Sequence, residues 1–135
     1  TRFRNVTGVQ TCALPISNAE IGVMVNGMQI IVASITLESC RELKLQIGSK
    51  VFALIKASSV SLSAASAVHG RNHFVATVQA ITRGGQRSEV LAGIAEGLAL
   101  VSTVDNADID RLGLRVGQAV TASFEASSVI MGIAA

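Results

Sequence analysis

The chain has 135 residues, of which 50% are hydrophobic, and this length suits one ordinary domain or two very small ones. Aromatic residues make up only 3% and the formal net charge is +2, which argues against the basic, aromatic-lined groove of nucleic-acid-binding barrels. No apolar run reaches the roughly 18 residues that a membrane-spanning helix needs, so we expect no membrane association.

The N-terminal stretch VTGVQTCALPI (Val6–Ile16) matches a common sequencing adapter translated in one frame. We therefore interpret residues 1–17 as an assembly artefact, rather than as a natural and slightly apolar leader, and exclude them from functional reasoning. Without Arg2 and Arg4, Lys+Arg falls from 11 to 9 against 9 Asp+Glu, so the net charge becomes zero. Cys40 is then the only remaining thiol, which favours a reducing, cytoplasmic location.

Downstream of this stretch, the hydrophobic pattern predicts short strands and one short helix. The Asn26-Gly27 pair is typical of a tight hairpin turn between the first two strands. Thr36 is placed to cap the helix that follows the second strand. The predicted elements are strands at Glu20–Val25, Met28–Ser34 and Val51–Lys56, a helix within Thr36–Leu45, and the start of a fourth strand at Val60–Leu62.

The same order of predicted elements is repeated 69 residues later in the sequence, and the two copies align without a gap. The segments ELKLQIGSKV (Glu42–Val51) and RLGLRVGQAV (Arg111–Val120) correspond, and Ala-Ser-Ser-Val occurs at both Ala57–Val60 and Ala126–Val129. The second copy opens with an additional strand at Asn72–Thr82, whose counterpart in the first copy falls on the adapter-like residues. Such a repeat implies two copies of one small supersecondary unit.

Five short strands and one small helix per copy predict an all-β fold with one short helix per module, arranged as two tandem OB-like β-barrels. We expect the first barrel to lack its leading strand. The predicted organisation is an artefact at residues 1–17, an incomplete first module at 18–62, a small-residue linker at 63–70 and a second module at 71–135.

This plan resembles the Mop, or TOBE-type, molybdate-binding module, present in tandem. The likeness rests on ITLES (Ile35–Ser39), ELKLQIGSKV (Glu42–Val51) and ALIKASSV (Ala53–Val60), in this order and at constant spacing. The segment GRNHFVATV (Gly70–Val78) resembles the opening Ser-Ala-Arg-Asn segment of the family. The resemblance covers residues 18–135 and implies a binding protein rather than an enzyme, with molybdate or the similarly sized tungstate as its ligand.

Molybdate is a tetrahedral dianion, and its site needs one or two cations together with several neutral donors. Lys56 can supply a cation, and the tight segment that follows can supply hydroxyls and backbone N–H groups. Thr36 and Ser39 stand at the start of the short helix, where unpaired N–H groups favour an anion. The resemblance implies that the remaining ligands come from the Ser-Ala-Arg-Asn segment, which the first copy has lost to the adapter-like residues, so we expect its site to be incomplete in this chain. The candidate molybdate-binding residues are Lys56, Ser58, Ser59, Thr36, Ser39, Ala57 and Arg71.

The second copy carries a different set of charges at the same positions. Glu125 replaces the lysine, and Asp105 and Asp108 replace the helix-start hydroxyls. Two unit charges about 4 Å apart interact by roughly 4 kcal/mol at an effective dielectric constant near 20. We therefore expect the second copy to keep the fold and to have lost the anion, although it retains Arg71; the usual serine of the family is replaced there by His69.

Each candidate also has a purely structural interpretation. Lys56 can be an ordinary surface lysine at a strand end, the serines can serve turn geometry, and the helix-start residues can be caps. Cys40 on an amphipathic helix is predicted to be a buried small hydrophobic residue rather than a nucleophile. Asp105, Asp108 and Asp110 lack the glycine and the terminal glutamate of a calcium loop, so we predict no metal site.

The resemblance implies the oxyanion sensor of a transcriptional regulator of molybdenum uptake and metabolism. In that family, two tandem modules follow a winged helix-turn-helix, and the oxyanion binds at a dimer interface through the first module. We therefore expect the intact protein to be a homodimer that contacts DNA only through an upstream domain, and a chain that lacks the first strand of copy one to dimerise poorly. The alternatives are a free-standing tandem molybdate storage protein, the regulatory tail of a molybdate-importer ATPase, and an OB-type nucleic-acid binder.

Overall fold

The computed structural model describes residues 2–3, 6–13, 18–25, 29–66 and 72–133. Within these ranges the chain forms short strands, two short helices and two 3₁₀ turns, whereas the predicted hairpin turn at Asn26-Gly27 lies outside the described residues. The strands are β1 (Arg2–Phe3), β2 (Val6–Ala13), β3 (Asn18–Val25), β4 (Gln29–Thr36), β5 (Val51–Ile55), β6 (Ser61–Ala64), β7 (Asn72–Thr82), β8 (Arg87–Ala95), β9 (Leu98–Asp105), β10 (Ala119–Phe124) and β11 (Val129–Ile133). The helices are α1 (Leu37–Glu42) and α2 (Asn106–Leu112), and the 3₁₀ turns are Ala57–Ser59 and Ala126–Ser128.

These elements form two compact units, and each unit combines parts of both sequence copies. The central unit, Lys56–Phe124, contains the first 3₁₀ turn, β6 to β10 and α2. The flanking unit, Arg2–Ile55 with Glu125–Ala135, contains β1 to β5, α1, the second 3₁₀ turn and β11. The compact units therefore do not follow the sequence copies, because the last strand of each copy belongs to the unit built mainly from the other copy.

The central unit is built on one antiparallel sheet with the order β6-β10-β7-β8-β9. The long strand β7 pairs through its first half with β10, where Asn72 faces Phe124, and through its second half with β8. β6 covers the other edge of β10. Ser63 and Ala64, which the sequence analysis places in the linker, therefore lie in a paired strand.

The flanking unit contains two three-stranded antiparallel sheets, β2-β3-β4 and β1-β5-β11. The β3–β4 ladder runs over the whole length of both strands and ends at the pair Asn18 and Thr36. In the other sheet, Val129 at the start of β11 faces Ile55 at the end of β5. β5 and β10 occupy the same position in the two copies, and so do β6 and β11. The two copies therefore exchange their last strands: β6 of the first copy pairs with β10 of the second, and β11 of the second copy pairs with β5 of the first.

One detail of the predicted fold is wrong: the first copy does not lack a leading strand. β2 pairs with β3 in the same way that β7 pairs with β8, and β1 pairs with β5 as the first half of β7 pairs with β10. The physical reason is that a sheet edge is completed by backbone hydrogen bonds, which any segment with adequate β-propensity can supply. Val6–Ala13 is rich in Val and Thr and meets that requirement.

Alternation along the strands places one set of aliphatic side chains inside each unit. Their complete burial removes apolar surface from water, which contributes about 1.5–3 kcal/mol for each large side chain. β-Branched residues dominate, as expected for a fold made mainly of strands. The largest fully buried aliphatic side chains are Ile21, Val23, Val25, Ile31, Val51 and Ile55 in the flanking unit, and Val78, Val90, Leu100 and Val120 in the central unit.

The two helices end in the same backbone conformation although their residues differ. Lys44 has a φ of 52° after α1, and its repeat counterpart Gly113 has a φ of 60° after α2. Positive φ is strained for a residue with a Cβ and unstrained for glycine. α1 is shorter than the predicted Thr36–Leu45, and its Cys40 is buried as predicted.

Candidate functional site

The exit from β5 carries four of the predicted ligands: Lys56 and the three residues of the first 3₁₀ turn, Ala57–Ser59. Lys56 precedes the turn in an extended conformation, and its carbonyl accepts a hydrogen bond of 2.8 Å from the Ser59 N–H. Lys56 and Ser58 are exposed, and Ser59 is half-buried. Within the described part of the chain, the ion pairs are formed by arginines and Lys56 forms none. Lys56 thus differs from these arginines in being exposed without a described carboxylate partner.

Thr36 and Ser39 form a second cluster, at the junction of β4 and α1. The Thr36 hydroxyl donates to the Ser39 hydroxyl at 2.9 Å and accepts from the Ser39 N–H at 3.1 Å. Thr36 is therefore the N-cap of α1, as predicted. The two hydroxyls are adjacent and partly open to solvent, so this cluster can offer neutral donors to an anion.

The structure does not bring these two clusters together within one compact unit. Lys56, with the turn that follows it, belongs to the central unit, whereas Thr36 and Ser39 belong to the flanking unit. In the central unit the first 3₁₀ turn packs against β9, and in the flanking unit the second 3₁₀ turn packs against β4. Each turn thus packs against a strand of the other copy, and Ser58 of the first turn lines a pocket together with Asp105 and Asp108. Arg71 lies outside the described residues, and the predicted ligand set stays a prediction.

The acidic residues of the second copy are held by arginines rather than by Lys56. Arg87 and Asp105 face each other across β8 and β9, and the Arg87 Nε donates to the Asp105 carboxylate at 2.9 Å. On α2, Arg111 lies 3.4 Å from the Asp108 carboxylate. Asp105 occupies the N-cap position without making a side-chain capping bond. Both carboxylates are therefore neutralised locally.

These four side chains line a polar pocket of about 210 Å³ in the central unit. The pocket also has hydroxyl groups from the turn region, Ser58 and Ser61, and from β9, Ser102 and Thr103. Ser102 is fully buried, and its hydroxyl donates to the Val60 carbonyl at 2.5 Å. This bond ties the exit of the first 3₁₀ turn to β9, which fixes one wall of the pocket.

Arg87 and Arg111 are not among the site residues predicted from the sequence. The signal was present in the repeat, because their counterparts in the first copy are Asn18 and Glu42. Comparing these positions together with those of the two aspartates shows that only the second copy combines an arginine with an aspartate at both places. Among the described residues, no group of three or more His, Cys, Asp or Glu side chains could hold a metal ion.

A search of the described residues for a helix both long enough and apolar enough to span a membrane finds none.

Comparison with known proteins places both copies in one family. The TOBE domain matches this chain twice, at residues 6–62 and 69–131. The first match begins inside the stretch interpreted as an assembly artefact, and that interpretation stays a prediction. In addition, the chain is 38% identical over 117 residues to the molybdenum transport protein ModE of Herbaspirillum seropedicae. It is 40% identical over 108 residues to the transcriptional regulator ModE of Yersinia pestis.

These two matches cover 84% and 78% of this chain, but only 44% and 41% of the relatives. The chain thus spans less than half the length of the curated relatives it matches. Among solved structures, the cytoplasmic molybdate-binding protein ModG with molybdate bound superposes with a TM-score of 0.87 at 31% identity. That alignment covers 99% of this chain and 96% of the ModG chain. The fold is therefore that of tandem OB-like modules, and the chain belongs to the TOBE domain family.

Proposed function

We propose that this chain binds molybdate, or tungstate, as the sensor part of a cytoplasmic transcriptional regulator of molybdenum uptake and metabolism. The observation that carries the proposal is the likeness to ModG with molybdate bound, at a TM-score of 0.87 and over almost the whole of both chains. The regulatory role is supported by the identity to the ModE proteins, of which this chain matches less than half. Contact with DNA is assigned to the part of such a regulator that this chain does not match.

The donors on the two predicted clusters suit a tetrahedral dianion. Lys56 is exposed and forms no ion pair with the described carboxylates. The hydroxyls of Thr36 and Ser39 are adjacent, with 2.9 Å between their oxygens, so they can turn their protons toward one anion oxygen each. Hydrogen bonds between such donors and a charged acceptor contribute about 1.5–3 kcal/mol each.

A homodimer is part of the proposal. Within one chain, the lysine turn and the hydroxyl cluster belong to different compact units. In a symmetric dimer, the lysine turn of one copy can complete the hydroxyl cluster of its partner, and the reverse contact forms a second equivalent site. Two oxyanions per dimer are then expected.

The lysine can be tested by titrating molybdate into Lys56→Ala, with binding followed by calorimetry. Loss of one charge-assisted contact is expected to weaken binding by about ten- to a hundredfold. Lys50→Ala is the matched control, because Lys50 is another exposed lysine of the first copy, just before β5, and is expected to leave the affinity unchanged. Equal affinities for the two variants would contradict the assignment of Lys56.

The shared site can be tested by mixing two defective variants, Lys56→Ala and the double variant Thr36→Ala/Ser39→Ala. Each alone is expected to bind weakly, whereas a mixed dimer has one intact site, made of the lysine of one copy and the hydroxyls of the other. After subunit exchange, about a quarter of the sites are expected to recover full affinity. If no affinity is recovered although the subunits exchange, the donors are not shared between copies.

The second candidate function is a free-standing molybdate storage or homeostasis protein. It is favoured by the mutual coverage with ModG, 99% of this chain and 96% of that one. Reading the codons upstream of Asn18 at the source locus separates the two candidates. A helix-turn-helix encoded there supports the regulator, and a start codon shortly upstream supports the storage protein.

A further inference from the structure

The pocket of the central unit holds two arginines that are already occupied by carboxylates of the same chain. Arg87 is bound by Asp105 at 2.9 Å, and Arg111 by Asp108 at 3.4 Å. All four side chains line the pocket, so its two positive and two negative charges cancel. Hydroxyls complete the lining on the side of the first 3₁₀ turn and β9. Without the carboxylates, this lining would have the composition of an oxyanion site: two cations and several neutral donors.

The first copy does not have these charge pairs at the corresponding positions. The end of the β3–β4 ladder in the first copy pairs Asn18 with Thr36, and the same ladder position in the second copy pairs Arg87 with Asp105. On the helices, the first copy has Ser39 and Glu42 at the positions of Asp108 and Arg111. The second copy therefore has two aspartate–arginine pairs at positions where the first copy has none.

Stability of the fold does not account for these pairs. The four side chains are 46–68% exposed, and ion pairs at that exposure contribute little to folding. α2 also gains no capping bond from the Asp105 side chain. A pocket whose arginines are covered by exposed, weakly stabilising carboxylates points instead to control over what the pocket binds.

We propose that Asp105 and Asp108 are specificity-determining residues that act as built-in counter-ions and close a latent oxyanion pocket in the central unit. They occupy the guanidinium groups of Arg87 and Arg111 and repel any dianion that approaches. A tetrahedral oxyanion binds there once the carboxylate charges are removed, held by the two arginines and by the hydroxyls of Ser58, Ser61 and Thr103. The pocket shares Ser58 with the predicted ligand set but does not include Lys56 in its lining, so the inference does not rest on the proposed function.

The proposal can be tested with the isosteric double variant Asp105→Asn/Asp108→Asn of the full chain, using sodium molybdate and inorganic phosphate as probes. Calorimetry should show one additional anion site per chain relative to the unmodified protein, whether or not the unmodified protein binds molybdate. The affinity of the added site should fall as salt is raised, because the side chains that form it are exposed. Circular dichroism and thermal melting verify that the variant is folded.

Two control variants make the result specific. Asp110→Asn removes a carboxylate of α2 that pairs with Arg83 at 3.5 Å and does not line the pocket, so it should add no site. Adding Arg87→Gln/Arg111→Gln to the double variant should abolish the new site. A folded double variant that gains no site for either probe would overturn the proposal. So would an equal gain in Asp110→Asn, or a gain that survives loss of both arginines.

Discussion

In the first copy, Thr36 caps α1 and its hydroxyl bonds to Ser39, whereas in the second copy Asp105 occupies the cap position and pairs with Arg87 instead. The backbone is the same in both places: an extended residue at the end of a strand, followed by a short helix. The difference shows that the fold determines the positions of these side chains but not their charge. The two helix starts of one chain can therefore present opposite chemistry to a ligand.

The cores of the two units are expected to be equivalent, and a matched pair of deletions tests this. Ile31 and Leu100 occupy corresponding repeat positions and are 1% and 0% exposed. Ile31→Ala and Leu100→Ala should each lower the free energy of unfolding of their unit by about 2–5 kcal/mol, through lost burial and the cavity left behind. Urea unfolding measures both. A loss below 1 kcal/mol for either variant would show that its position is not a packed core site.

The bond between Ser102 and Val60 distinguishes the two units, since Ala33 stands at the repeat position of Ser102. Ser102→Ala leaves the Val60 carbonyl without its side-chain donor in a buried setting, which should cost about 1–3 kcal/mol. Thermal unfolding checks the loss. Thr103→Ala, at the next and less buried position of β9, is the control and should cost less. Equal losses would argue that the buried bond has no special role.

The two helix caps should differ in their contribution to stability. Thr36→Ala removes a capping hydrogen bond and should cost about 1 kcal/mol, as N-cap truncations typically do. Asp105→Ala removes only an exposed ion pair and should cost less than about 1 kcal/mol. Urea titrations of the two variants compare the losses directly. A larger loss of unfolding free energy for Asp105→Ala than for Thr36→Ala would mean that the Asp105 carboxylate stabilises the fold.

The smallest expected effect lies at the ends of the helices. Lys44 adopts a φ of 52° where the second copy has Gly113 at 60°. Lys44→Gly should relieve left-handed strain and stabilise the protein by about 0.5–1 kcal/mol, after the larger chain entropy of unfolded glycine is taken into account. Gly113→Ala, which meets no atom within 4 Å, should destabilise by a similar amount. Thermal unfolding midpoints measure both changes in stability. A lower midpoint for Lys44→Gly would contradict the presence of backbone strain at this position.

Much of the fold was predictable because local sequence determines each element and the same pattern occurs in both copies. The strand at Asn72–Thr82 has its predicted bounds, and Thr36 caps its helix as its side chain and position indicated. The exchange of β6 and β11 between the units could not be predicted. Both strands follow the same Ala-Ser-Ser-Val turn, and β5 and β10 offer similar edges, so local sequence does not choose between them.

The candidate site was predictable in part, for the same reason. Side-chain chemistry identified Lys56 and Thr36, but the unit to which each belongs depends on the strand exchange. Arg87 was hidden because its importance lies in a cross-strand partner, Asp105, that is distant in sequence. The register of β8 and β9 brings the two residues together, and the difference between the copies at these positions was the signal that sequence comparison offered.

The most direct test of the difference between the copies transfers the acidic residues of the second copy into the first. The variant Thr36→Asp/Ser39→Asp keeps a good helix cap and places two negative charges where neutral donors stood. Molybdate titration by equilibrium dialysis should show affinity lowered by more than about a hundredfold, because each added charge repels the dianion. Binding at the affinity of the unmodified protein would contradict the assignment of the hydroxyl cluster to the molybdate site.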